Sequence, residues 1–121
     1  MTGSSRLVGR FLGGIFLLSV MSAPVGTAVE PAKGKRIYTE LCQQCHGIDG
    51  RGSGAINLTP PPTDLTSSEV QGKLNAGLFK SIHEGRKNTA MGTWKYALSD
   101  EEIHEVIAYI RTLDGQRKAT P

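Results

Sequence analysis

Both cysteines of this 121-residue chain fall in one five-residue segment, Cys42-Gln43-Gln44-Cys45-His46. That placement limits how the chain can hold itself together. A bridge across so short a loop removes little unfolded-state entropy, so the pair would make a poor staple. Three Phe, three Tyr and one Trp are thinly spread, and a domain of about a hundred residues buries well under three quarters of its unfolded surface. Some other support for the core is expected. The length fits one domain and excludes large multidomain enzymes.

The charge balance must be read without a segment that resembles an export signal. Arg6 and Arg10 precede the apolar run Phe11 to Val20, and small residues follow at Ala23, Gly26, Thr27 and Ala28. This is the layout of a secretory signal peptide, whereas a membrane-spanning helix needs about 20 apolar residues. The expected organisation is a signal peptide over 1–28, a domain over 29–115 and a disordered tail over 116–121. An uncleaved anchor is the alternative. The formal net charge of +3 falls to +1 on cleavage, because the segment carries two arginines and no acidic residue. The overall basicity therefore gives no ground for a nucleic-acid partner, and the expected location is the periplasm.

In an exported chain, Cys-x-x-Cys-His reads as a c-type haem attachment sequence. Two thiols about one helical turn apart can each add to a vinyl group on a porphyrin edge, and the next imidazole can reach the iron. A covalently held haem would also complete a small core. A thioredoxin-like pair would need a strand before it in a βαβ unit, and no strands alternate here. A zinc site needs four ligands, and only His83 and His104 remain to complete Cys42, Cys45 and His46.

A second axial ligand is sought next, since Met paired with His raises the reduction potential of haem iron. Met1 and Met21 lie in the signal-like segment, which leaves Met91, in the polar stretch Asn88-Thr89-Ala90-Met91-Gly92-Thr93. His83, near the apolar side of a short helix, is the rival ligand. His104 falls on the polar side of the last helix and reads as solvated. Trp94 is open to two readings, core packing or an indole hydrogen bond to a haem propionate.

The periodicity predicts helices. Gly34, Ile37, Tyr38 and Leu41 share one face of a helix opened by Pro31, and Gly34 in its interior predicts a close helix crossing, with Tyr109 as a packing candidate. From Gly47 to Pro62, glycines and prolines leave no regular period; so long a stretch is expected to wrap something. Ser67 to Lys73 reads as weak helix. Asn75 is the expected cap of a helix reaching Glu84, with Leu78, Phe79 and Ile82 inward and Gly85 as its stop. Ser99 and Glu102 form a capping box before the apolar face Ile103, Val106, Ile107, Ile110 and Leu113, with Arg111 in the final turn and Gly115 as the expected stop.

Taken together, Gly34 with Tyr38, Cys42 to His46, the glycine-rich stretch followed by prolines, the Met91 loop and the helix from Leu98 to Arg111 resemble class I monohaem c-type cytochromes of the bacterial periplasmic type. The resemblance spans roughly Ala32 to Leu113. It implies an all-α fold with crossed N- and C-terminal helices around one haem c, thioethers at Cys42 and Cys45, proximal His46 and distal Met91. It also implies a proline carbonyl orienting the proximal imidazole, for which Pro60 is the nearest counterpart. Relatives commonly have Met-Pro at the distal ligand, whereas Met91 precedes Gly92, so a less rigid loop and a more displaceable Met are expected.

The function expected is single-electron transfer rather than catalysis. The partners would be redox proteins docking transiently at the haem edge of a monomer, with membrane contact only through a retained signal segment or a complex. Lys80, Arg86, Lys87 and Lys95 could form a basic docking rim or simply a solvated surface, while Asp100, Glu101, Glu102 and Glu105 form an acidic cluster. An electron-entry subunit of a membrane oxidoreductase is the alternative, and a haem sensor or enzyme with displaceable Met91 is the third reading.

Overall fold

The computed structural model describes residues 29–118. The signal-like segment and residues 119–121 lie outside them. Helices α1 (Pro31–Ile37), α2 (Gln43–His46), α3 (Ser68–Gln71), α4 (Asn75–His83) and α5 (Asp100–Lys118) form the architecture, with a π-helical turn over Tyr38–Cys42 joining α1 to α2. The described residues contain no strand. The all-α expectation therefore holds.

Pro31 opens α1 at a position where its missing N–H costs nothing. The periodicity placed the end of this helix at Leu41, but helical backbone continues through the π turn to His46. Gly47, with φ of +80°, ends it. The wider π turn changes the register within one rod, so the face that packs in α1 need not be the face presented by α2. Tyr38, at the junction, is fully buried and donates its hydroxyl to Gly47 O at 2.6 Å, fastening the end of the rod to its middle.

The crossing predicted at Gly34 is present, between α1 and α5. A Cβ at Gly34 would fall inside the backbone carbonyl of Glu105. Only glycine lets the two backbones approach so closely. Tyr109 meets Tyr38, one turn beyond Gly34, ring centroids 5.2 Å apart and tilted by 56°. Glu105, expected in an acidic surface cluster, is instead buried at the crossing and paired with Lys33 at 3.0 Å.

The face of α5 read from its spacing is the core: Ile103, Val106, Ile107, Ile110 and Leu113 are all buried, together with Leu78 and Ile82 of α4. The capping box forms as expected, with Ser99 N donating to Glu102 Oε2 at 2.9 Å and Glu102 N to Ser99 Oγ at 3.2 Å. These hydrogen bonds to the backbone and hydroxyl of Ser99 hold the Glu102 carboxyl below its ordinary pKa. Gly115 does not stop the helix, which continues to Lys118.

That places Arg111 well inside α5, where it serves the loop rather than the helix end. Its guanidinium donates to the carbonyls of Val70, Gln71 and Lys73 and to Asn75 Oδ1. Asn75 is accordingly not the cap of α4. Leu74 occupies that position without a side-chain hydrogen bond, and Asn75 is the first helical residue. The weak helix is real, capped by Ser67 Oγ accepting from Val70 N at 3.3 Å.

Candidate functional site

The glycine- and proline-rich stretch wraps one side of a cavity of about 330 Å³. Cys42, Cys45, His46, Pro60, Met91 and Trp94, all singled out in the sequence, line it. The stretch is held against α2 by close backbone approach. Gly52 N donates to His46 O at 2.8 Å and Gly54 N to Cys45 O at 3.2 Å, satisfying carbonyls left open at the helix end. A side chain at Gly54 would strike the backbone carbonyl of Gln44.

Cys42 and Cys45 are presented from one end of the rod with no disulfide between them. Burial, with a smaller contribution from Cys45, pushes the Cys42 thiol up to about 11. His46 follows them, and its Nδ1 lies 3.2 Å from Thr63 O. A carbonyl can only accept, so Nδ1 carries the proton and the Nε2 lone pair is left for a metal. Burial lowers the pKa of the ring and so favours the neutral, ligating imidazole, an effect partly opposed by the Thr63 hydrogen bond.

The carbonyl expected from Pro60 is therefore supplied by Thr63. Pro60 is a wall residue. Sequence reasoning missed Thr63 because a backbone acceptor leaves no trace in residue type. The available signal was only that the proline run must end in extended chain near the imidazole.

Met91 reaches the cavity from an exposed loop and is itself half-buried. Its loop is closed by three hydrogen bonds: Arg86 N to Met91 O at 2.9 Å, Met91 N to Thr89 Oγ1 at 3.1 Å, and Thr89 Oγ1 to Arg86 O at 2.8 Å. Gly85, with φ of +73°, lets the Gly92 backbone pack directly on the start of the loop. Trp94 lines the cavity and packs on the core beneath it.

The rival histidines are elsewhere. His83 does not line the cavity; its Nδ1 is 2.7 Å from Glu84 Oε1, and its ring stacks on Phe79. His104 is exposed and stacks on the same phenylalanine, 4.9 Å between centroids. Among the described residues, no group of three or more His, Cys, Asp or Glu is arranged to hold a bare metal ion. The donor set facing the cavity, an imidazole nitrogen and a thioether sulfur with two thiols alongside and apolar walls, fits haem iron and a porphyrin.

The expected basic rim is only partly free. Lys95 is 3.0 Å from Glu84 Oε2, and Arg86 Nη1 donates to Thr63 Oγ1 at 3.1 Å, while Lys80 and Lys87 stand exposed.

Residues 31–114 match the Cytochrome c family. The chain belongs to that family. Covalently bound haem c is the cofactor this membership brings, and electron transfer is the activity it indicates. The chain is 31% identical over 103 residues to the Cbb3-type cytochrome c oxidase subunit FixP of Bradyrhizobium diazoefficiens, covering 83% of this cytochrome and 33% of that subunit. It is also 30% identical to Cytochrome c6 of Rippkaea orientalis, covering 84% of this chain and 90% of the relative. A solved c-type cytochrome, KustC0563, superposes with a TM-score of 0.58 at 24% identity over 66% of this chain and 95% of its own, which supports the fold alone. This cytochrome spans about a third of the length of the oxidase subunit it matches. No helix among the described residues is long and apolar enough to cross a membrane.

Proposed function

We propose that this cytochrome is an exported, monomeric single-electron carrier of the periplasm, with haem attached through Cys42 and Cys45 and held between His46 and Met91. The observation that carries this reading is that the two thiols, the imidazole and the only methionine of residues 29–121 line one cavity. When bound, the haem supplies an iron that cycles between Fe(III) and Fe(II).

The chain's own residues set how that cycle runs. Thr63 O accepts the Nδ1 proton of His46, fixing the tautomer and raising the ligand's basicity. Met91 sulfur favours the reduced state and raises the potential. With His46 and Met91 both holding the group, little in the protein would need to move on electron gain. Transient partners would dock through a small interface, with Lys80 and Lys87 near the Met91 loop favouring an acidic partner.

The deciding experiment is the ferric spectrum of the holoprotein. The long-wavelength sulfur-to-iron band should be present, and the reduced protein should not bind carbon monoxide promptly. Absence of the band, or immediate carbon monoxide binding, would remove Met91 as a ligand.

A second reading is favoured by the similarity to an oxidase subunit: service as an electron-entry domain of a membrane complex. Stoichiometric copurification with an oxidase or dehydrogenase would support it over the free carrier.

A further inference from the structure

Arg86 occupies a position that neither cavity wall explains by itself. Its backbone closes the Met91 loop from both sides, N to Met91 O and O from Thr89 Oγ1. Its side chain reaches away from that loop, to the hydroxyl of Thr63, 23 residues earlier in the chain. Thr63 is the residue whose carbonyl accepts from His46 Nδ1. One continuous chain of contacts therefore runs His46, Thr63, Arg86, Met91.

We propose that Arg86 is a positioning residue that couples the two axial ligands, clasping the segment that orients His46 to the loop that carries Met91. The proposal rests on His46 and Met91 being the iron ligands. Two segments far apart in sequence have no covalent reason to keep a fixed distance. The 47–67 stretch has little regular structure, and the Met91 loop is exposed. A charged guanidinium donating to a hydroxyl is one of the stronger hydrogen bonds a surface can make, and here it spans from one segment to the other beside the cavity that Arg86 helps line. The same residue's peptide group is already committed to Met91. A displacement of either segment must therefore break contacts at Arg86 or carry the other segment with it. Lys95, another cation beside the loop, is turned to Glu84 instead.

The test uses the ferric holoprotein with imidazole as a competing ligand. Imidazole binds only after Met91 leaves, so its affinity reports how firmly the loop is held. Arg86→Gln and Thr63→Val should each raise imidazole affinity about tenfold, and the double variant should rise no further than either single, as expected for two ends of one interaction. Thr63→Ser, which keeps the hydroxyl, should restore the wild-type affinity. The opposite wall is read by solvent exchange of the hyperfine-shifted His46 Nδ1 proton, which should quicken about tenfold in Arg86→Gln although Arg86 does not touch His46. Ser99→Ala, a loss of stability remote from the clasp, should leave both readouts unchanged.

An unchanged His46 exchange rate in Arg86→Gln overturns the coupling even if imidazole binds more tightly, and so do single effects that multiply in the double variant. If Arg86→Gln fails to retain haem, Thr63→Val against Thr63→Ser decides alone. A wild-type protein lacking the sulfur-to-iron band overturns the ligand assignment itself; a wild-type protein with the band and variants without effect overturns only the clasp.

Discussion

The two walls of the cavity are built by different means. The wall that presents Cys42, Cys45 and His46 is the end of a helical rod whose other end is locked against α5 at Gly34. Its carbonyls are satisfied by Gly52 and Gly54, and its half-buried histidine is oriented by Thr63. The wall that presents Met91 is an exposed loop closed by a few hydrogen bonds, with Met91 followed by Gly92 rather than proline. The difference teaches where change is cheap. Perturbing the first wall should disturb the fold, whereas under the proposed ligation perturbing the second should disturb mainly the iron's reactivity.

The strongest way to break the first wall is chemical. Replacing both Cys42 and Cys45 with Ala should abolish covalent attachment completely, so that acid-acetone extracts all the haem; haem that stays with the protein would contradict the assignment. Met91→Ala is the matching assault on the other wall. It should open the iron, eliminate the sulfur-to-iron band and lower the potential while leaving far-ultraviolet circular dichroism unchanged, and a redox titration that gives the wild-type potential would rule out Met91 as ligand.

Gly34→Ala sharpens the comparison by straining the support of the first wall without touching the site. The added Cβ collides with backbone rather than a movable side chain, so a loss of about 3 kcal/mol is expected. Denaturant unfolding measures it, and a loss no greater than that of an ordinary surface substitution would mean the helices do not cross there.

A smaller effect is expected at the start of α5. Ser99→Ala should cost about 1 kcal/mol through the lost cap, visible in the same unfolding curves and absent from the spectrum.

The smallest effect lies beside the Met91 loop, at the exposed Glu84–Lys95 pair. Hydrogen bonds from Lys95 and then from His83 hold the Glu84 carboxyl below its ordinary value. Its contribution to stability is therefore fully present above the unfolded carboxylate pKa of about 4.3 and is lost as pH falls through the depressed folded value. Lys95→Met should flatten that acid limb only slightly, since exposed pairs contribute little. A large loss of acid stability would show that the pair braces the loop.

The regular parts of the fold were legible because their causes are local. The face of α5, its capping box and the need for glycine at position 34 all follow from spacing and residue type. The errors came where a distant partner decides. Asn75 looks like a cap until Arg111 claims its side-chain oxygen, Glu105 looks like a surface acid until the crossing buries it, and Gly115 looks like a stop although α5 runs past it.

For the site, the sequence by itself determined the chemistry: two thiols, an imidazole and a thioether at fixed places along the chain, with a glycine- and proline-rich stretch to wrap what they hold. Only the tertiary structure decided that His83 faces Glu84 rather than the cavity, that Thr63 rather than Pro60 supplies the carbonyl to His46, and that Arg86 spans from that segment to the Met91 loop. Side-chain chemistry is written in the residue, but the partner of a backbone carbonyl, or of a guanidinium at the end of a long flexible stem, is set by how distant segments come to rest against each other.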